Sequence, residues 1–305
     1  MIIQTPETYC RCDASDRAKL VVVIDTEEEF DWSNGFFRGN TGVTAMRQIF
    51  RVQDIFDRYA ITPVYAIDYP IAFQADGYRP LQEIHSDRRC LIGAHLHPWV
   101  NPPFEEVICR ANSFPGNLPA FLEREKLKLL GECIGERFGA QPLIYKAGRY
   151  GLGTNTGVIL EDLGYQVDAS FCPGMNYSDE EGPDFSDATP WPFWFGQTRK
   201  LLELPLTVGY TGRFRRRGSW VHCKASSSFA SRFKVLGLLA RLRLLNKVWL
   251  SPEGYHPGEQ RALTRALYDD GLRVFTLAFH SPSVVPGNTP YVRSSHELSL
   301  FLDSL

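Results

Sequence analysis

Short apolar runs alternate with longer segments of helical period along most of this chain. Residues 20–25, 62–67, 90–95, 142–146, 165–170, 201–205, 247–250 and 272–279 are runs rich in apolar side chains, and each predicts a buried strand. Between them, apolar positions recur three and four residues apart over 44–59, 118–138, 154–163, 227–245 and 257–270, which predicts amphipathic helices. Strands alternating with helices imply a parallel sheet, because a parallel crossover needs a connection long enough to hold a helix. About seven to eight parallel strands, with no glycine-rich dinucleotide fingerprint, favour an α/β fold closed into a distorted (β/α) barrel. Residues 172–196 break the pattern. Rich in Pro, Asp and aromatics, they read as a long loop, and long loops inside a folded domain tend to serve function.

Such barrels carry their chemistry at the C-terminal ends of strands. Asp25, Glu27, His95, His97, Arg149, Asp168, Glu203 and His280 all fall at or just beyond predicted strand ends. Asp25-Thr26-Glu27 follows LVVVI, and His95-Leu96-His97 follows LIGA. On an extended backbone, residues i and i+2 point to the same face. Each pair therefore presents two ligand-type side chains in one direction. Carboxylates meeting imidazoles suit a hard-to-borderline divalent cation and the hydrolysis such ions support. In this reading Asp25 is a ligand or general base, while Glu28 and Glu29 are solvated or supporting.

His280 closes the run 272–279, titrates near neutrality and suits general-acid work. The segment YKAGRYGLG (145–153) combines glycines that permit a tight turn with Lys146 and Arg149, cations able to orient a carboxylate or oxyanion. Its spacing is not that of a phosphate-binding loop, so nucleotide binding is not supported. Trp32, Trp99 and Tyr150 lie beside these segments and offer rings for stacking on a sugar.

Composition narrows the picture. The 305 residues, 44% hydrophobic, can bury a sizeable core. We read residues 1–19 as an N-terminal extension and 20–305 as the barrel domain. A net charge of −2 gives no argument for nucleic acid, but the charge is unevenly spread. Residues 204–252 contain no Asp or Glu and ten cations: Arg213, Arg215, Arg216, Arg217, Lys224, Arg232, Lys234, Arg241, Arg243 and Lys247. The remainder then carries −12. That stretch is either a solvated basic face or a surface for a phosphate-linked sugar or anionic membrane headgroups. Seven cysteines in no regular spacing form no disulfide framework, and Cys10 with Cys12 makes only a C-x-C. The first twenty residues lack the pattern of a secretory signal, and no apolar run approaches a bilayer span. The expectation is a cytoplasmic protein with reduced thiols.

Taken together, the stretches VVVIDTEEEFDW, IGAHLHPWVNPPF, YKAGRYGLG, GYQVDASF, LLELPLT and TLAFHSPSVVPGNTPYV, in this order, resemble the polysaccharide deacetylase family, the NodB-homology or carbohydrate esterase 4 group. They look closest to its WalW-like members, associated with bacterial surface-polysaccharide clusters. The resemblance implies a distorted (β/α) barrel that removes N- or O-acetyl groups from glycans with Zn²⁺ or a similar divalent ion. It implies Asp25 as catalytic base, Glu27, His95 and His97 as metal ligands, Lys146 to Tyr150 as the motif whose arginine steadies the base, and His280 as general acid. The first motif reads D-x-E where most members have Asp-Asp. The second reads H-x-H where most have histidines four apart.

The leading expectation is a metal-dependent deacetylase acting on an acetylated glycan or a lipid- or nucleotide-linked sugar. Two rivals stand beside it: a catalytically silent carbohydrate-binding or pathway-assembly protein of the same fold, and a carboxylate-only glycosidase using Asp25 and Glu27–Glu29.

Overall fold

A computed structural model describes residues 8–10, 13, 15–198, 200–218 and 235–305. Its first half runs β1 (Lys19–Thr26), α1 (Phe50–Arg58), β2 (Val64–Ile67), α2 (Tyr69–Phe73), α3 (Ala75–Ser86), β3 (Leu91–Leu96), α4 (Ala120–Phe138), β4 (Ile144–Ala147) and α5 (Thr156–Asp162). The second half adds β5 (Val167–Asp168), β6 (Phe193–Phe195), β7 (Leu201–Glu203), β8 (Val208–Thr211), α6 (Val235–Arg241), β9 (Asn246–Trp249), α7 (Pro257–Asp269), β10 (Val274–His280) and α8 (Ser295–Asp303). Eight strands form one sheet in the order β10-β1-β2-β3-β4-β5-β7-β6, parallel except for the β6–β7 edge pair. Among the described residues, no helix is long and apolar enough to cross a membrane.

The sheet curls into a half-barrel and is not closed strand to strand. Its seam is bridged by single hydrogen bonds. The Leu206 N–H donates to Phe171 O (2.9 Å), Thr207 N–H to Thr276 O (3.1 Å), Leu250 N–H to Thr207 O (2.8 Å) and Ala278 N–H to Leu250 O (3.3 Å). The run 247–250, expected as a barrel strand, is β9, which pairs antiparallel with β8 in a separate ladder. Antiparallel neighbours need no long crossover to pair. The expected strand 165–170 shrinks to β5. There Ser170 Oγ accepts from Ala147 N–H and Glu203 accepts from Phe171 N–H, so side chains replace ladder bonds.

Three further differences concern loops and ends. The expected loop 172–196 ends in β6, and Thr8–Cys10 dock on that edge through a Tyr9–Phe193 bridge. Helices α2, α3 and α8 are not among the expected elements; α2 is only five residues long and α3 carries Pro80 inside it, a residue that reads as a helix breaker. The expected helix 227–245 is represented by α6, and its residues 227–234 lie outside the described residues, as do Lys224, Arg232 and Lys234.

Alternation along the strands sorts the core into two. Val22 and Ile24 of β1 face the helices in the main cluster, while Val23 packs inside the barrel with Val64, Ala66 and Ala169. Asp25 continues the Val23 face. In register beside it stand His280 of β10 and Ala66 of β2, with Gly93 of β3 beyond. Ala66 and Gly93 have little or no side chain. That leaves room for Lys146, which is aligned with His95 on β3–β4, to reach Asp25 across the interior. Asp168 and Glu203 are aligned with Tyr145 instead, on the helix side of the sheet. Those two strand-end carboxylates therefore do not join the others.

Candidate active site

Glu27, His95 and His97 meet at one point. His95 Nε2 and His97 Nε2 are 3.1 Å apart, and Glu27 Oε2 lies 3.5 Å from each. The H-x-H spacing works because β3 extends through Leu96 and His97 keeps an extended backbone (φ −101°, ψ 105°) before Pro98, the residue type that disfavours helix in its predecessor. All three side chains are buried.

The second nitrogen of each ring fixes its tautomer. His95 Nδ1 lies 3.0 Å from Lys146 O, a group that only accepts, so Nδ1 carries the proton. His97 Nδ1 donates to Glu28 Oε2 (2.8 Å), whose other oxygen accepts from Trp99 Nε1–H (2.9 Å). Burial pushes Glu28 up to about 7, against the hydrogen bond from Asp68, and pushes Asp68 well above its ordinary value, with Glu28 adding to that rise. With the shared proton on Asp68, Glu28 stays an acceptor for both rings. The two Nε2 atoms and the Glu27 oxygen are then three acceptors facing one another with no donor between them. A divalent cation satisfies such a set, and two imidazoles with one carboxylate fit a borderline ion. A carboxylate behind a ligating imidazole is the usual second support of such a site.

Beside this cluster, Asp25 Oδ1 makes a 2.5 Å ion pair with Lys146 Nζ, and Asp25 Oδ2 lies 3.9 Å from His280 Nε2. Burial works to raise the Asp25 pKa, but the Lys146 ammonium, His95 and His280 outweigh it and hold the carboxyl below its ordinary value. His280 is in turn gripped by Glu253. Its Nδ1 lies 2.8 Å from Glu253 Oε2, and its N–H donates to Glu253 Oε1 (3.1 Å). Burial opposes charge on the ring, yet the Glu253, Glu27 and Asp25 carboxylates raise its pKa to about 10.

Asp25, Glu27, His95, His97, Arg149 and His280 all line one cavity of about 590 Å³. Arg149 sits at its wall rather than on the base. In the turn 148–150 its backbone adopts φ 55°. That geometry sends the guanidinium to Ser113 Oγ (2.5 Å) and the Glu180 carboxylate, over the Phe114 ring. Lys146 takes the place at Asp25 that the sequence reading gave to Arg149. Of the three expected stacking rings, Trp32 is 43% exposed and stands edge-on to His280. Tyr150 lines the cavity stacked on Tyr177. Trp99 is only 3% exposed, with His97 stacked on it at 4.3 Å, so it braces the His97 ring rather than offering a free face.

The segment after His97 is fastened from behind. Lys126 of α4, fully buried, donates to the carbonyls of Pro98 (3.0 Å), Asn101 (2.6 Å) and Pro103 (2.7 Å) and pairs with Glu106 (3.0 Å). Sequence reasoning missed Glu253, Asp68 and Lys126. Glu253 had a signal, since it is the first acid after the 49-residue stretch without one.

Among solved structures, the chain is similar to a candidate polysaccharide deacetylase from Mycobacterium smegmatis, with a TM-score of 0.54 and 15% identity over 98% of this chain and 87% of that one. The PuuE allantoinase aligns with a TM-score of 0.47 and 13% identity, covering 93% and 82%. The chitin deacetylase of the fungal pathogen Colletotrichum lindemuthianum aligns at 0.41 and 10%, covering 94% and 83%. At such identity the likeness to the mycobacterial protein is one of fold. No family model matches the chain, and no curated protein matches it in sequence.

Proposed function

We propose that this chain is a metal-dependent hydrolase that removes acetyl groups from a glycan, or from a lipid- or nucleotide-linked glycan precursor, in the manner of WalW-like polysaccharide deacetylases of bacterial surface metabolism. One observation carries the reading. Three buried acceptors, Glu27, His95 and His97, converge in the same cavity as a lysine-paired carboxylate and a glutamate-paired imidazole.

Held by Glu27, His95 and His97, a divalent cation such as Zn²⁺ supplies Lewis acidity toward a carbonyl and toward water. Asp25, kept ionised by Lys146, accepts the proton of the attacking water. His280, protonated and facing Asp25, donates its Nε2 proton to the departing amine or alkoxide as the bond to the acyl carbon breaks and acetate forms. Glu28 and Asp68 hold His97 in its ligating tautomer. Trp32, Tyr150 and Tyr177 wall the cavity with rings suited to a sugar face.

Elemental analysis of purified protein, paired with acetate release from a panel of acetylated oligosaccharides, tests this. We expect stoichiometric metal and acetate release. Asp25→Asn should lower turnover by about 10²–10⁴-fold while the metal stays bound. Protein that binds sugar without metal and without releasing acetate would be the silent carbohydrate binder. Sugar cleavage insensitive to chelators would make it a glycosidase.

A further inference from the structure

The β8–β9 ladder ends away from the cavity in a cluster that the hydrolase leaves unused. Arg213 N–H donates to Arg243 O (3.3 Å) and Phe214 N–H to Leu244 O (2.9 Å). These bonds hold the segments on either side of residues 219–234 against each other. Arg213, Arg216, Arg217, Arg241 and Arg243 are exposed there. Among the described residues no carboxylate pairs with any of these five; Arg215, which is half-buried, takes Asp270. Interleaved with them, Phe214, Leu238 and Leu242 are exposed at 43%, 57% and 58%. Helix α6, which carries Leu238, has no buried residue at all.

Cations alone make a solvated face. Cations around protruding leucines in a stretch free of acid have a more specific complement. We propose that this tip docks on an anionic phospholipid bilayer, the arginines meeting headgroup phosphates while Phe214, Leu238 and Leu242 enter the acyl boundary. Charge complementarity favours a negative partner. Large aliphatic side chains, which add nothing to a nucleic-acid backbone contact, favour lipid over nucleic acid. Three ladder steps, about 10 Å at strand rise, separate Trp249 in the cavity wall from the ladder's far end at Asn246, and the tip begins just beyond it. A bound bilayer would therefore lie close to the site. The inference does not depend on the hydrolase reading, because vesicle binding is measured without turnover.

The test is co-sedimentation of the full chain with phosphatidylcholine vesicles, with and without phosphatidylglycerol. Binding should require the anionic lipid and weaken as ionic strength rises. Each arginine at such a surface is worth about five-fold in partitioning, so Arg216→Glu with Arg217→Glu should weaken it by at least about 25-fold. Leu238→Ser with Leu242→Ser should reduce binding most at high salt, where only the apolar contact remains. Both pairs are exposed, so an unchanged circular dichroism spectrum certifies the fold. Binding that ignores phosphatidylglycerol, binding untouched by either pair, or no vesicle binding alongside tight binding to an oligonucleotide would overturn the proposal.

Discussion

Glu253 decides what His280 can do. A half-open imidazole at a cavity mouth titrates near neutrality, but the carboxylate on Nδ1 keeps this ring protonated well above that, to about 10. A group whose folded pKa is raised holds its proton below that value and loses it as pH climbs through it. Acid function at His280 should therefore persist into alkaline solution. Glu253→Gln should move the alkaline limb of the kcat/KM profile to lower pH while leaving the metal in place. The comparison belongs on metal-loaded protein, since a cation at Glu27 offsets part of that carboxylate's pull. An unmoved limb would show that another group sets it. At this scale the sequence displayed the side chains that converge on the cavity, because strand ends and i,i+2 spacing are local signals. It hid most of their partners. Glu253 and Asp68 meet His280 and Glu28 only through the tertiary fold; Lys146 was visible as a cation able to orient a carboxylate, but the base-steadying role expected of Arg149 is turned away by its φ of 55°.

Between β4 and the turn that follows it, Gly148 is where two elements touch. A Cβ there would lie 2.4 Å from His97 Cδ2 and 2.5 Å from Leu96 O, closer than atoms approach without displacement. Gly148→Ala should therefore push the His97 ring out of line. We expect cation affinity, read by competition with a chromophoric chelator, to fall at least ten-fold, the scale of disturbing a ligand's support. The overpacking should cost about 1–3 kcal/mol of stability. Unchanged affinity would mean that Glu28 and Trp99 alone fix the ring. Helix α4 was legible almost to the residue because Gly139, at φ 79°, stops it where a left-handed cap is needed. Strand β5 was not, since its apolar run continues past the point where Ser170 and Glu203 take over the backbone bonds.

Across the whole molecule, the mostly parallel curled sheet was readable from the alternation of strands and helices, and the seam was not. Leu206, Thr207 and Leu250 close the half-barrel with isolated bonds, and a hydrophobic pattern carries no trace of such bridges. The same separation of roles appears on the other side of the site, where Lys126 gathers three carbonyls and Glu106 beneath the His97–Trp99 segment. That ammonium belongs to the chain and cannot be chelated. The mould around the proposed exchangeable cation is thus cast by a permanent one. Stripping the metal with a chelator should then leave the near-ultraviolet circular dichroism of Trp99 almost unchanged, and activity should return on adding Zn²⁺ without a refolding lag. In Lys126→Met the same treatment should become sluggish or irreversible, separating a site that is merely empty from one that has lost its shape.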